Sequence, residues 1–348
     1  MRSPFSTENV KNTRQTYLDV LRGVAILLVI CRHWPVTSYL GNLGWLGVDL
    51  FFVISGFLIS GLLFSEQEKN GTIDLTRFFI RRGLKIYPLF FLLILFTLLV
   101  NYVGGFPVSP RPYLHELLFL QNYLGGIYPH TWSLAVEEHF YLMLLLCFVF
   151  FGKQRKTRLY SFILLMIVPL LFRLWRVYNG DAGNHFLTHT RIDSLFVGVV
   201  LQYLWRYKQE SISKTSNSAK YLLLPVCIGY ILSYGFMVPE SAYVQGVGFT
   251  LIALCFAVVL WMGLTANSNL SWLKPLSFVG YYSYSIYLLH IPVKWVLEYF
   301  GVEEQVGFIN VGYFAAYALL CVLAGVAFSE MVEQPILKWR DKRIPSKA

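Results

Sequence analysis

Ten stretches of mostly apolar residues recur along the 348-residue chain, at roughly 17–36, 45–64, 84–103, 133–151, 159–178, 188–205, 220–237, 243–264, 281–299 and 311–331. A helix of about 20 such residues crosses the hydrocarbon core of a bilayer. A water-soluble fold has to bury each apolar face against protein, whereas lipid accepts it directly once the backbone bonds are made within the helix. Charge content agrees with that reading: 14% of residues are Asp, Glu, Lys or Arg, against roughly 25% in a soluble domain. The expected fold is all-α, a polytopic transmembrane helix bundle of about ten spans. No soluble domain, internal repeat or low-complexity tract interrupts it. Residues 1–16 are polar and run straight into the first span, so they read as a cytoplasmic N-terminal segment rather than a cleaved signal. Residues 17–335 form the membrane domain, and 336–348 a basic cytoplasmic tail.

The net charge of +10 admits nucleic acid, a membrane surface or an anionic small molecule as its cause. Basic residues confined to short loops between apolar runs argue against nucleic acid. Their distribution gives a topology instead. With both termini in the cytoplasm, only Arg111 and Arg176 fall in outer loops. Arg22, Arg32, Arg173, Arg191 and Lys294 lie in or at the edges of spans, and every other Lys and Arg is cytoplasmic. Such an asymmetry predicts an N-in, C-in multi-pass protein. Lys153 and Lys214 are among the cytoplasmic charges.

Two connections differ from simple loops. Residues 74–83 read as a short amphipathic helix on the cytoplasmic face, capped by Asp74. Residues 104–132, with Pro107, Pro110, Pro112 and Pro129, read as a folded loop or re-entrant helix. Cys31, Cys147, Cys227, Cys255 and Cys321 all lie in apolar runs without metal-ligand spacing, as small buried hydrophobes do.

Ionisable residues inside the spans are the informative ones, because each is costly to place in hydrocarbon. In the first span Arg22 and His33 are eleven residues apart, about 1100° of helix, which places them on one face roughly 16 Å apart. Asp49 sits in the apolar second span, and its simplest partner is the Arg or His of the first. In WSLAVEEHFYL, Glu137 and Glu138 point about 100° apart, so at most one faces a given cavity. Glu137 shares its face with Ser133 and Tyr141. A carboxylate there, in low dielectric, suits proton transfer or pairing with a histidine. Arg191 and Asp193 open the sixth span, His290 lies near the outer end of the ninth, and Glu333-Gln334-Pro335 closes the last. At the cytoplasmic face Arg81 and Lys85, at i and i+4, make one cationic edge that suits phosphate, with Arg82 beside them.

LDVLRGVAILLVICRH, GWLGVDLFFVISGFLIS, FFIRRGLKIYP, WSLAVEEHFYL, RIDSLFVG and YSYSIYLLH, in this order, resemble acyltransferase family 3 from about residue 17 to 335. Its members are integral-membrane acyltransferases, mostly bacterial, that modify sugars of surface polysaccharides and related acceptors. The resemblance implies a multi-pass protein of the bacterial inner membrane that moves an acyl group, expected to be acetyl, from acyl-CoA to a hydroxyl of a sugar or lipid-linked glycan. Membrane lipids are its surroundings, and neither nucleic acid nor a tightly bound cofactor or metal is expected.

Carried over residue by residue, the family's arginine and histidine match Arg22 and His33, and the glutamate of its WSL motif matches Glu137. Its paired arginines match Arg81 and Arg82, which serve the acyl-CoA donor. Lys85 stands where members usually have a third arginine, so that position offers no bidentate phosphate grip. Val20 replaces the glycine of the usual LDGLRG opening. The expected catalytic set is His33, Glu137 and Asp49, with Arg22, Arg81, Arg82 and Lys85 on the donor. Asp19, Trp132, Ser133, Arg191, Asp193 and His290 are assigned to the substrate or to structural polar contacts. His33 acts as general base or takes the acyl group, and Asp49 or Glu137 orients it. Some members carry an extra hydrolase-like domain; here transfer is expected to rest on the membrane domain or a separate partner. A proton-coupled transporter or flippase is the competing reading, since paired intramembrane charges also suit a carrier.

Overall fold

The structure is a computed structural model that describes residues 7–151, 154–181, 185–209, 217–265, 270–302 and 308–347. The first six residues of the expected N-terminal segment, Lys153, Lys214 and Ala348 lie outside the described residues. Among the described residues every regular element is helical.

The chain begins with α1 (Thr7–His33), so the residues before the expected first span already belong to its helix. A short α2 (Ser38–Gly44) is capped by the Thr37 side chain and leads into α3 (Leu46–Asn70), which stops at Gly71 in the left-handed region, φ 73°. Next comes α4 (Leu75–Val103). Asp74 does cap it, its carboxylate accepting from the Arg77 N–H at 3.0 Å. The separate surface helix expected at 74–83 is corrected: those residues are the first turns of one continuous 29-residue helix. Nothing in FFIRRGLKIYP breaks it before Pro88, which the helix absorbs.

The long connection is a folded loop bearing α5 (Pro110–Leu117) and α6 (Gln121–Leu124). Glu116 knots it together. Its buried carboxylate accepts from the backbone N–H groups of Ile127 (3.0 Å) and Tyr128 (3.1 Å) and from the Thr131 hydroxyl (2.9 Å). Burial pushes the Glu116 carboxyl above the usual carboxylate range, and those three donors pull the other way.

Then follow α7 (Trp132–Phe151), α8 (Arg155–Tyr178), α9 (Thr188–Tyr207), α10 (Asn217–Ser233), α11 (Phe249–Thr265), α12 (Lys274–Tyr281) and α13 (Ser283–Tyr299). The last rod joins α14 (Phe308–Phe328), one wide turn at Ser329–Glu333, and α15 (Gln334–Arg343). It runs on past the end expected at Glu333-Gln334-Pro335, because Pro335 falls in the first turn of α15, where its missing N–H costs nothing.

Among the described residues, six helices are long and apolar enough to cross a membrane: Ser38–Asn70, Leu75–Val103, Trp132–Phe151, Arg155–Tyr178, Val244–Thr265 and Asn310–Arg343. This is a multi-pass membrane protein. The other four expected spans are helical but shorter or more polar. α9 gives the reason. It is buried on nearly every side, so Arg191, Asp193 and Gln202 meet protein rather than lipid, and its sequence need not be apolar. Many of the exposed apolar residues lie on outer helices, as with Phe96 and Leu99 of α4, Leu171 of α8 and Leu323 of α14.

At the centre α3 and α9 come into backbone contact. A side chain at Gly56 would run into the Leu195 carbonyl, and one at Gly198 into the Val53 carbonyl. Small residues that let helices touch are the usual glue of membrane bundles. This approach decides which polar groups meet across the interface.

Candidate active site

Asp49 and Arg191 are the first consequence of that approach. The Asp49 carboxylate accepts from Arg191 Nη2 at 2.7 Å and from the Ser194 hydroxyl at 3.1 Å, with both charged side chains wholly buried. The partner expected from the first span, Arg22 or His33, is thereby corrected. The Arg191 guanidinium also sits 3.6 Å over the Phe249 ring. Two residues on, Asp193 receives a two-pronged grip from Arg173 of α8, at 3.0 and 2.7 Å, and a third bond from Thr250 of α11 at 2.6 Å. Asp49, Arg191 and Asp193 therefore pin α3, α8, α9 and α11 together.

Beside this core lie two cavities. The first, about 310 Å³, is lined by Arg22 of α1, Ser55 of α3, Arg82 and Lys85 of α4, and Glu137 and Tyr141 of α7, among others. Glu137 accepts from the Tyr141 hydroxyl at 3.2 Å. Ser133, Glu137 and Tyr141 all face this space, as their i, i+4 spacing predicts. Glu138 turns away and accepts from the Tyr87 hydroxyl at 2.9 Å. Arg22 is also within 3.4 Å of Asp19. Lys85 pairs with Glu333 at 2.6 Å, and the Ser285 and Ser329 hydroxyls hold that carboxylate from its other side.

Arg81 departs from expectation. It is bound to the Ile344 carbonyl and to Asp341, the latter at 3.0 Å, and Arg340 reaches its carbonyl at 3.2 Å. The tail thus folds over the start of α4, and Lys347 meets Asp74 there at 3.1 Å. The cationic edge that lines the cavity is Arg82 with Lys85, not Arg81 with Lys85. Adjacent residues on a helix diverge by about 100°, so only one of the paired arginines can face in.

The second cavity, about 430 Å³, opens at the C-terminal end of α1. His33 and Arg32 line it, with Trp45, His130, Trp132 and Lys294. Val48 and Tyr287 line both cavities, so these two side chains form the shared wall. The Tyr287 hydroxyl donates to the His130 carbonyl and accepts from Ser133, each at 2.6 Å. His33 and Glu137 consequently occupy different cavities, and no hydrogen bond joins His33 to Glu137 or to Asp49 among the described residues.

A cluster of three imidazoles stands at the second cavity. The His33 and His290 ring centroids are 4.8 Å apart, and those of His130 and His290 are 4.7 Å apart. Lys294 donates to the His33 carbonyl at 2.7 Å. Sequence reasoning found His33 and His290 but missed His130. It lies in the loop before α7, outside any helical periodicity, and only its place two residues before Trp132 marks it. Burial and the neighbouring imidazoles hold the His130 ring well below the usual histidine range.

The chain is similar to known proteins over most of its length. The family described as "Acyltransferase domain" matches residues 15–330. O-acetyltransferase OatA of Staphylococcus aureus strain NCTC 8325 / PS 47 is 28% identical over 347 residues, covering 92% of this chain and 57% of the relative. The OatA of strain COL matches to the same extent. The chain therefore spans a little over half the length of these curated relatives. No solved structure matches it.

Proposed function

The chain belongs to acyltransferase family 3, and from that premise we propose that it is an integral-membrane O-acyltransferase. It moves an acetyl group from acetyl-CoA to a hydroxyl of a sugar or lipid-linked glycan, in the inner membrane of a bacterium. One observation carries the reading: a cavity edged by Arg22, Arg82 and Lys85 shares its wall, Val48 and Tyr287, with a second cavity edged by His33. The orientation read from the distribution of Lys and Arg, with both termini in the cytoplasm, supports this reading, since the cationic cavity then faces the side where CoA is made.

The donor's phosphates sit against Arg82 and Arg22, whose guanidinium forks match phosphate geometry. Lys85, already paired with Glu333, adds a point charge. The pantetheine arm runs along the first cavity past Glu137 and carries the thioester through the Val48–Tyr287 wall to His33. His33 takes the proton of the acceptor hydroxyl as its oxygen attacks the thioester carbonyl. The carbon–sulfur bond then breaks, and the thiolate leaves with that proton. Arg32 and Lys294 edge the same cavity, and their positive charge favours the oxyanion formed on the way.

Membranes bearing the protein, given labelled acetyl-CoA and a competent glycan acceptor, transfer label on this reading. His33→Ala and Arg82→Ala membranes do so poorly. Acceptor crossing the membrane at equal rates with and without acetyl-CoA, and without acetylation, is the outcome of a carrier and overturns the enzyme.

A further inference from the structure

A general base in a buried site needs a neighbour that fixes which ring nitrogen carries the proton. The carboxylates expected to do this for His33 are elsewhere, Asp49 on Arg191 and Glu137 in the other cavity. The rings packed near His33 are histidines. Their hydrogen bonds determine their tautomers.

His290 is fully buried on α13. Its Nδ1 stands 2.5 Å from the Tyr287 carbonyl, which can only accept, so Nδ1 carries the proton. Nε2 is then a bare lone pair, and among the described residues it has no partner. His130 cannot supply one. Its Nε2 gives its proton to the Leu288 carbonyl at 3.3 Å, leaving its own Nδ1 as another bare acceptor. Two bare acceptor nitrogens share no proton and make no bond. Of the two imidazoles packed on His290, only His33, 4.8 Å away ring to ring, has a proton to give.

We propose that His290 is the positioning residue for His33: its Nε2, unpartnered among the described residues, accepts the adjacent His33 ring N–H when donor and acceptor are bound, as catalytic hydrogen bonds close in the reacting complex, so that the opposite nitrogen is left bare toward the acceptor hydroxyl. The role rests on the reading of His33 as base. The site thus orients its base with a neutral imidazole where a triad uses a carboxylate. During transfer the acceptor proton moves to the bare nitrogen of His33 and on to the leaving sulfur. The proton shared with His290 stays in place, so no net charge accumulates on the pair over a turnover.

Two variants separate this role from packing. In His290→Asn the amide replaces Nδ1 and keeps the bond to the Tyr287 carbonyl but has no acceptor at Nε2. In His290→Gln the amide oxygen reaches the Nε2 position and accepts from His33. The expected result, in transfer from labelled acetyl-CoA, is a kcat for the Asn variant lower by about 100-fold and a Gln variant within about 10-fold of native, general-base steps contributing on that scale. The KM for acetyl-CoA stays native in both, since its cavity is untouched. Equal kcat for the two variants, or KM rising in step with the loss, overturns the proposal. A measurement on the native protein stands apart from any variant: ring-nitrogen NMR of labelled histidine, with acetyl-CoA and acceptor analogue bound, shows His33 in one tautomer, and a mixture of tautomers in that complex overturns the proposal. A His33→Ala protein that transfers at the native rate sinks the base itself. An inactive His33→Ala beside a native-like His290→Asn sinks only the positioning role.

Discussion

Asp49 and Arg191, 142 residues apart in sequence, meet at 2.7 Å with both side chains fully buried. The pair exists because Gly56 and Gly198 let α3 and α9 touch backbone to backbone. It ties α3, which lines both cavities, to α9, which is buried on nearly every side.

Removing one partner strands the other charge. Asp49→Ala should cost about 3–5 kcal/mol of stability, the usual penalty for breaking a buried ion pair. Asp49→Ala with Arg191→Leu should cost less than Asp49→Ala alone, because no orphan charge is left. Thermal unfolding of the purified protein in detergent reads both. A single variant that melts with the native protein would show that the pair does not hold these helices.

Arg81 and Arg82 should part company in kinetics. Arg82 lines the cationic cavity and Arg81 is tied to the tail at Asp341 and Ile344. A charge-assisted bond to phosphate contributes about 1.5–3 kcal/mol, so Arg82→Ala should raise the KM for acetyl-CoA by roughly 10- to 100-fold. Arg81→Ala should change it only slightly. The opposite order would place the donor on the outer edge of α4.

The wall between the cavities should be an obstacle that can be enlarged. Val48→Trp fills the space beside Tyr287, so acetyl-CoA should still bind while transfer falls at least 100-fold, the scale on which misplacing reacting groups acts. Binding is read by equilibrium dialysis with labelled donor and transfer by acceptor labelling. Native transfer by this variant would mean the acyl group reaches His33 by another path.

Acid should weaken the fold through His130. Its ring is held below the ordinary histidine value by burial and by its neighbours. The unfolded chain takes up a proton near pH 6.5, whereas the folded one does not until lower pH. Stability from this group is complete above that value and drains away as pH falls below it. Melting temperature measured from pH 8 to pH 5 should drop, and His130→Gln should flatten the drop. An unchanged slope in the variant would assign the acid sensitivity to other groups.

Local rules made part of the site readable. Asp74 is a cap, Ser133, Glu137 and Tyr141 share one face, and Glu138 points away from them, all from helical geometry alone. Arg82 was less accessible to that reasoning: i, i+4 spacing favours Arg81 with Lys85, but the folded tail occupies Arg81 and leaves Arg82 with Lys85 on the cavity. His130 carried no periodic signal, because it precedes the helix it serves. Tyr287 reads as one aromatic among many until two cavities are seen to meet on it.

The sequence by itself determined that this is an all-helical membrane protein of an acyltransferase family with its ionisable residues concentrated at a site. Apolar runs, helical spacing and ordered motifs are properties of segments, and each is written within a few dozen residues. The pairing of those residues was decided only by the tertiary structure. Asp49 went to Arg191 rather than to the first span, Glu137 and His33 fell on opposite sides of a shared wall, and His290 came to stand against His33. Such choices depend on which helices approach closely and at what rotation. Glycines on two distant segments set that approach jointly, so neither segment records it alone.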